Sequence, residues 1–84
     1  MVSKILIQNS AVSIMLFFFD KGEEISTHSS DGVAFVTCLD GTGKITIDGA
    51  EYFLHPGESI VMPAGHPHAV FGAEQFKMLL AVVF

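Results

Sequence analysis

The sequence predicts an all-β protein, a barrel or double-sheet jelly roll, on three observations. Gly and Pro turn signals recur so often along the 84 residues that no segment between two of them is long enough for a good helix. The intervening segments are rich in Val, Ile, Phe and Thr, which suit a pleated, half-buried surface. Nine short strands at this spacing solve their exposed-edge problem by closing into a barrel or stacking as two sheets.

In chain order the predicted strands are 4–8, 12–19, 25–29, 33–39, 44–48, 51–54, 59–62, 68–71 and 76–84. Asp20-Lys21-Gly22 and Asp31-Gly32 bound the third, and Asp40-Gly41-Thr42-Gly43 separates the fourth from the fifth. Asp48-Gly49 between Ile45-Thr46-Ile47 and Tyr52-Phe53-Leu54 is a strong hairpin signal, because a type I′ turn needs positive φ at both central positions. Pro56-Gly57, Pro63-Ala64-Gly65 and Gly72 divide the remaining strands. Segments 12–19 and 76–84 are apolar on both faces, with Ile14, Leu16 and Phe18 on one side and Met15, Phe17 and Phe19 on the other. A small barrel has little of its own chain to cover such a strand, so an isologous homodimer is expected; the alternative is that the N-terminal strand lies over them.

A chain of this length, half of it apolar, forms one compact domain spanning 1–84. Nine acidic against four basic side chains give a net charge of −5, which excludes the basic stripe that nucleic-acid binding requires. Cys38 is the sole cysteine, so no intrachain disulfide forms, and no basic and apolar leader pattern opens the sequence; the expected location is the cytoplasm. The longest apolar run, 14–19, is far short of the roughly 20 residues that span a bilayer, and no membrane partner is expected.

The densest local pattern is Gly57, five residues, Pro63, Ala64, Gly65, two residues, His68, three residues and Gly72. It resembles the second motif of the cupins, G-x5-P-x-G-x2-H-x3-N, as found in small single-domain bacterial cupins; only the last position departs. The first motif, G-x5-H-x-H-x3-4-E-x6-G, is met in outline. Gly22, five residues and His28 fit, Ser30 stands where a second His belongs, Ala34 where a Glu belongs, and Gly41 closes it. The resemblance implies a cupin-type jelly-roll β-barrel with a pocket in its mouth, where the family binds a metal through three His and one Glu. Carried over position by position, His28 and His68 keep their ligand places and Ser30 and Ala34 do not.

His66, two before His68, is the candidate third ligand, since strand parity puts both rings on one side; the competing reading is an exposed turn residue. The same parity sets Ser30, Ala34, Val36 and Cys38 along the wall that carries His28. Cys38 is then either a soft ligand or a small buried core residue. His28, His66 and His68 thus form the candidate metal set, for Zn, Ni, Mn or Fe, and the wall with its histidines forms the candidate pocket. Met15, Met62 and Met78 are possible cavity walls or plain core. No phosphate loop, nucleophile elbow or arginine is present.

Three functions compete. The leading one is a small-molecule binding module with a His-lined pocket. The alternative is a metal-dependent cupin enzyme, of dioxygenase, isomerase or decarboxylase type. The third is an interaction domain whose cavity is plugged by Phe or Met. Ala34 ranks binding first, because alanine neither ligates nor transfers a proton.

Overall fold

The computed structural model describes residues 1–84 and contains seven strands and no helix. They are β1 (Val2–Gln8), β2 (Val12–Phe19), β3 (Glu24–His28), β4 (Val33–Ile47), β5 (Ala50–Leu54), β6 (Ser59–Met62) and β7 (His68–Val83). All pairs are antiparallel, in the order β1-β2-β7-β4-β5, with β3 joined to β7 and β6 to β4. The expected all-β jelly roll is the observed fold.

Nine predicted strands become seven because two glycine signals mark bends, not turns. Segments 33–39 and 44–48 are one strand, β4, and 68–71 and 76–84 are one strand, β7. The first half of β4 pairs with β6 and the second half with β5, while β7 pairs first with β3 and then with β2. The two long strands stay paired with each other throughout, and their register shifts between Cys38 and Asp40 and again between Gly41 and Gly43. These are β-bulges, at which a strand bends and passes from one neighbour to the next. Glycine is required there: a Cβ on Gly43 would lie 2.4 Å from the Phe76 ring.

The Asp48-Gly49 hairpin joins β4 to β5 with Ile47 opposite Ala50, and φ is +52° and +83° at the two turn residues, as a type I′ turn demands. On β4, Ala34, Val36 and Cys38 face inward while Val33 and Phe35 face out. Phe19 and Phe76, ring centres 5.6 Å apart, fill the core beside Ile45 and Met78.

β1 hydrogen-bonds along the edge of β2, from Val2 opposite Phe18 to Gln8 opposite Ser13, and every one of its residues is exposed. It extends the sheet sideways and does not lie across β2 and β7, so the alternative in which the N-terminal strand covers their outer face is not what the chain adopts. No helix is long and apolar enough to cross a membrane.

Candidate functional site

β3 ends on His28 and β7 begins on His68, and the two residues are direct cross-strand partners. Their positions follow from the glycine- and proline-rich loop before β7. Gly65 N–H donates to the Ser30 carbonyl at 2.9 Å and Asp48 N–H donates to the Pro67 carbonyl at 3.0 Å, which pins the loop between the end of β3 and the β4–β5 hairpin. The imidazoles meet edge to face, centres 4.3 Å apart at 68°, with their Nε2 atoms 3.1 Å apart. The His28 Nδ1 lies 2.9 Å from the Ser26 carbonyl and the His68 Nδ1 lies 3.1 Å from the His66 carbonyl. A carbonyl only accepts, so each ring donates from Nδ1, and the two Nε2 atoms, 3.1 Å apart, need a proton or a ligand donor between them.

His68 is 3% exposed. Burial pushes its pKa below the ordinary histidine value and the proximity of His28 pushes the same way, against the His66 carbonyl. The unfolded chain accepts a proton that this site resists, so stability rises with pH up to about 6.5 and levels off above it. Urea midpoints taken between pH 5 and 8 are expected to show a positive slope there, bounded at about 1.4 kcal/mol per pH unit for one proton. His68→Gln should flatten it; an unchanged slope in that variant would assign the effect elsewhere.

Beside the pair lies a cavity of about 270 Å³, lined by His28, Ser29, Ser30, Ala34 and His68 together with an apolar wall. Phe17 of β2, Met62 of β6 and Val70, Met78 and Leu80 of β7 build most of that wall. No Lys, Asp or Glu lines it. Of the residues singled out in the sequence, the structure brings His28, Ser30, Ala34, Met62, His68 and Met78 together around this cavity, and Met15 is not among its lining residues. Val36 and Cys38 share the inward side of β4 but lie deeper, fully buried in the core. The Cys38 thiol sits 3.5 Å from the carbonyls of Asp40 and Gly41, and burial pushes its pKa up.

His66 goes elsewhere. Its Nδ1 is 2.6 Å from Asp48 Oδ2, both side chains are half exposed, and it is not among the cavity residues. Strand alternation does not govern it, because β7 begins only at His68. Phe17, Ile25, Ser29, Val70, Leu80 and Val82 also line the cavity, and no sequence motif marks them. Those on β7 follow once 68–83 is read as one strand, since its even-numbered positions face inward on both sides of the bend, where Glu74 points to solvent.

A transition metal held by protein groups alone needs at least three of them, as catalytic zinc sites show. The site presents two imidazole nitrogens, and no group of three or more His, Cys, Asp or Glu side chains is placed to hold an ion. Ser30 and Ala34 supply nothing a borderline metal prefers. This donor set does not fit a resident metal.

Comparison with known proteins follows the same lines. Residues 15–84 match the Cupin_2 family, described as a cupin domain. A conserved protein of unknown function from Streptococcus pyogenes is 50% identical, with a TM-score of 0.95 over 98% of this chain and 72% of its own. A cupin superfamily protein from Desulfitobacterium hafniense is 34% identical, with a TM-score of 0.95 over 99% of this chain and 76% of its own. A cupin 2 conserved barrel domain protein from Leptotrichia buccalis is 45% identical at a TM-score of 0.95; this chain is covered to 99% and spans 40% of that one. No curated protein matches the chain. The double glycine-bent barrel, the surviving His28 and His68 of the two motifs and the match over most of its length agree: the chain belongs to the cupin family.

Proposed function

We propose that the chain is a single cupin barrel domain, 1–84, acting in the cytoplasm as a dimeric small-molecule binding module whose ligand sits in the cavity beside His28 and His68. One observation carries this reading: the cavity of about 270 Å³ is open, apolar along its wall and polar at one end, near the lower limit of the roughly 300–1,000 Å³ usual for ligand pockets. The interaction-domain reading would have Phe17, Met62 or Met78 plugging that space, and they line it instead. The metal-dependent enzyme reading would need a third ligand beside His28 and His68, and His66 is drawn to Asp48.

Two measurements test it. Elemental analysis of untagged protein should find well under one transition metal per chain; a full equivalent of Zn, Ni, Mn or Fe would end this reading in favour of the enzyme. Titration with benzene, followed by the methyl NMR signals of Ala34, Met62 and Met78, should shift those signals selectively, and unmoved signals would mean that the cavity is not a ligand site.

The dimer is supported by β1, an edge strand whose Val2, Ile5, Leu6 and Ile7 are all exposed. A bare apolar edge is a template for strand pairing and needs a cover; a second copy supplies one with the same surface. Sedimentation equilibrium should give twice the chain mass of 9.0 kDa. Ile5→Asp/Ile7→Asp is expected to shift that to the monomer, and a monomeric parent protein would refute the dimer.

A further inference from the structure

The geometry points to a small neutral phenol as the ligand class of this cavity, its hydroxyl donating to the facing Nε2 atoms of His28 and His68; this rests on the binding-module reading above. Both Nδ1 protons are committed to the Ser26 and His66 carbonyls, so each Nε2 offers a lone pair and no donor. Two acceptors 3.1 Å apart repel unless a donor is shared between them. An extra proton shared by the rings would place a positive charge against a cavity that no Asp or Glu lines to pair it. A ligand hydroxyl placed against the pair supplies it.

The rest of the cavity selects among donors. An ammonium head would be a cation in an apolar site with no carboxylate to pair it, and a carboxylate head would bring acceptors against acceptors with no Lys lining the site and no Arg in the chain. A neutral O–H remains. A phenol is a stronger donor than an alkanol, and its flat ring suits a wall of Phe17, Met62 and Met78, where thioethers make favourable contacts with aromatic edges. Ser29 and Ser30 stand at the polar end, where they serve a ring substituent.

Calorimetry at pH 8 with four probes tests this: p-cresol, 4-methylanisole, 4-methylbenzoate and toluene. The expected result is p-cresol binding about tenfold or more tighter than 4-methylanisole and toluene, with 4-methylbenzoate weakest. His28→Phe and His68→Phe should erase the p-cresol preference. In case either variant fails to fold, long-range ¹⁵N–¹H spectra of the parent protein give a second readout: both rings protonated on Nδ1, and both Nε2 resonances moving to lower frequency when p-cresol is added. If toluene binds and p-cresol binds no better, or if either ring is protonated on Nε2, the phenol assignment falls while the cavity remains a binding site. If no probe binds and benzene leaves the cavity methyls unmoved, the binding-module reading falls and takes this assignment with it.

Discussion

Gly41→Ala is expected to destabilise the barrel by about 3 kcal/mol or more, enough to unfold a small domain of marginal stability. Position 41 has φ +77°, where an L side chain costs about 1–2 kcal/mol. The larger cost is steric. A Cβ at Gly41 would lie 1.6 Å from the Gln75 carbonyl oxygen, a backbone atom of β7 that moves only if the β4–β7 ladder opens. Gly49→Ala isolates the conformational part, because φ there is +83° but nothing lies within 4 Å of the added carbon; its expected cost is about 1 kcal/mol. Urea denaturation of the two variants measures the difference. Equal midpoints would show that the strand bend at Gly41 tolerates a side chain and that the bulge is not what demands glycine.

The same residues explain what could and could not be read in advance. A turn and a bulge both ask for glycine, so Asp40-Gly41-Thr42-Gly43 and Gly72 look alike in sequence whether a strand ends or bends. Only the neighbours in space, Gln75 and Phe76 against β4, decide it, and they lie more than thirty residues away. Asp48-Gly49 was legible because its conformational demand is local. His28 and His68 were legible through motif spacing, since the loop from Pro63 to Pro67 aims the second ring by backbone bonds that the spacing encodes. His66 was not, because its direction is set by a carboxylate on another hairpin. The protonation of the two rings lay beyond any one-dimensional reading: it depends on carbonyls of Ser26 and His66 meeting the Nδ1 atoms.

Ser30→His/Ala34→Glu is expected to convert the cavity into a tight transition-metal site, by restoring the two ligand positions that the cupin motif has and this chain lacks. Both residues already line the cavity with His28 and His68, so the substitutions raise the protein donors from two to four on walls that are in place. A four-ligand set with imidazole and carboxylate donors suits Zn, Ni, Mn and Fe. Affinity for Zn should rise on the order of a thousandfold or more over the parent, with the single variants between. Without metal the double variant should be less stable by about 2 kcal/mol or more, since Glu at 34 replaces a side chain that is 2% exposed and has no cation to face. Metal at a hundred times its dissociation constant should return about 2.7 kcal/mol, so the melting temperature of the variant rises with added Zn while that of the parent stays put. Calorimetry and thermal melts with and without Zn read both effects. A double variant that binds Zn no better than the parent would mean that the barrel itself, and not the two missing side chains, has departed from metal-binding geometry. The Nε2 atoms of His28 and His68 argue against that departure: Zn–N bonds of about 2.0–2.1 Å at a tetrahedral angle put two imidazole nitrogens roughly 3.3 Å apart, and these two already lie 3.1 Å apart.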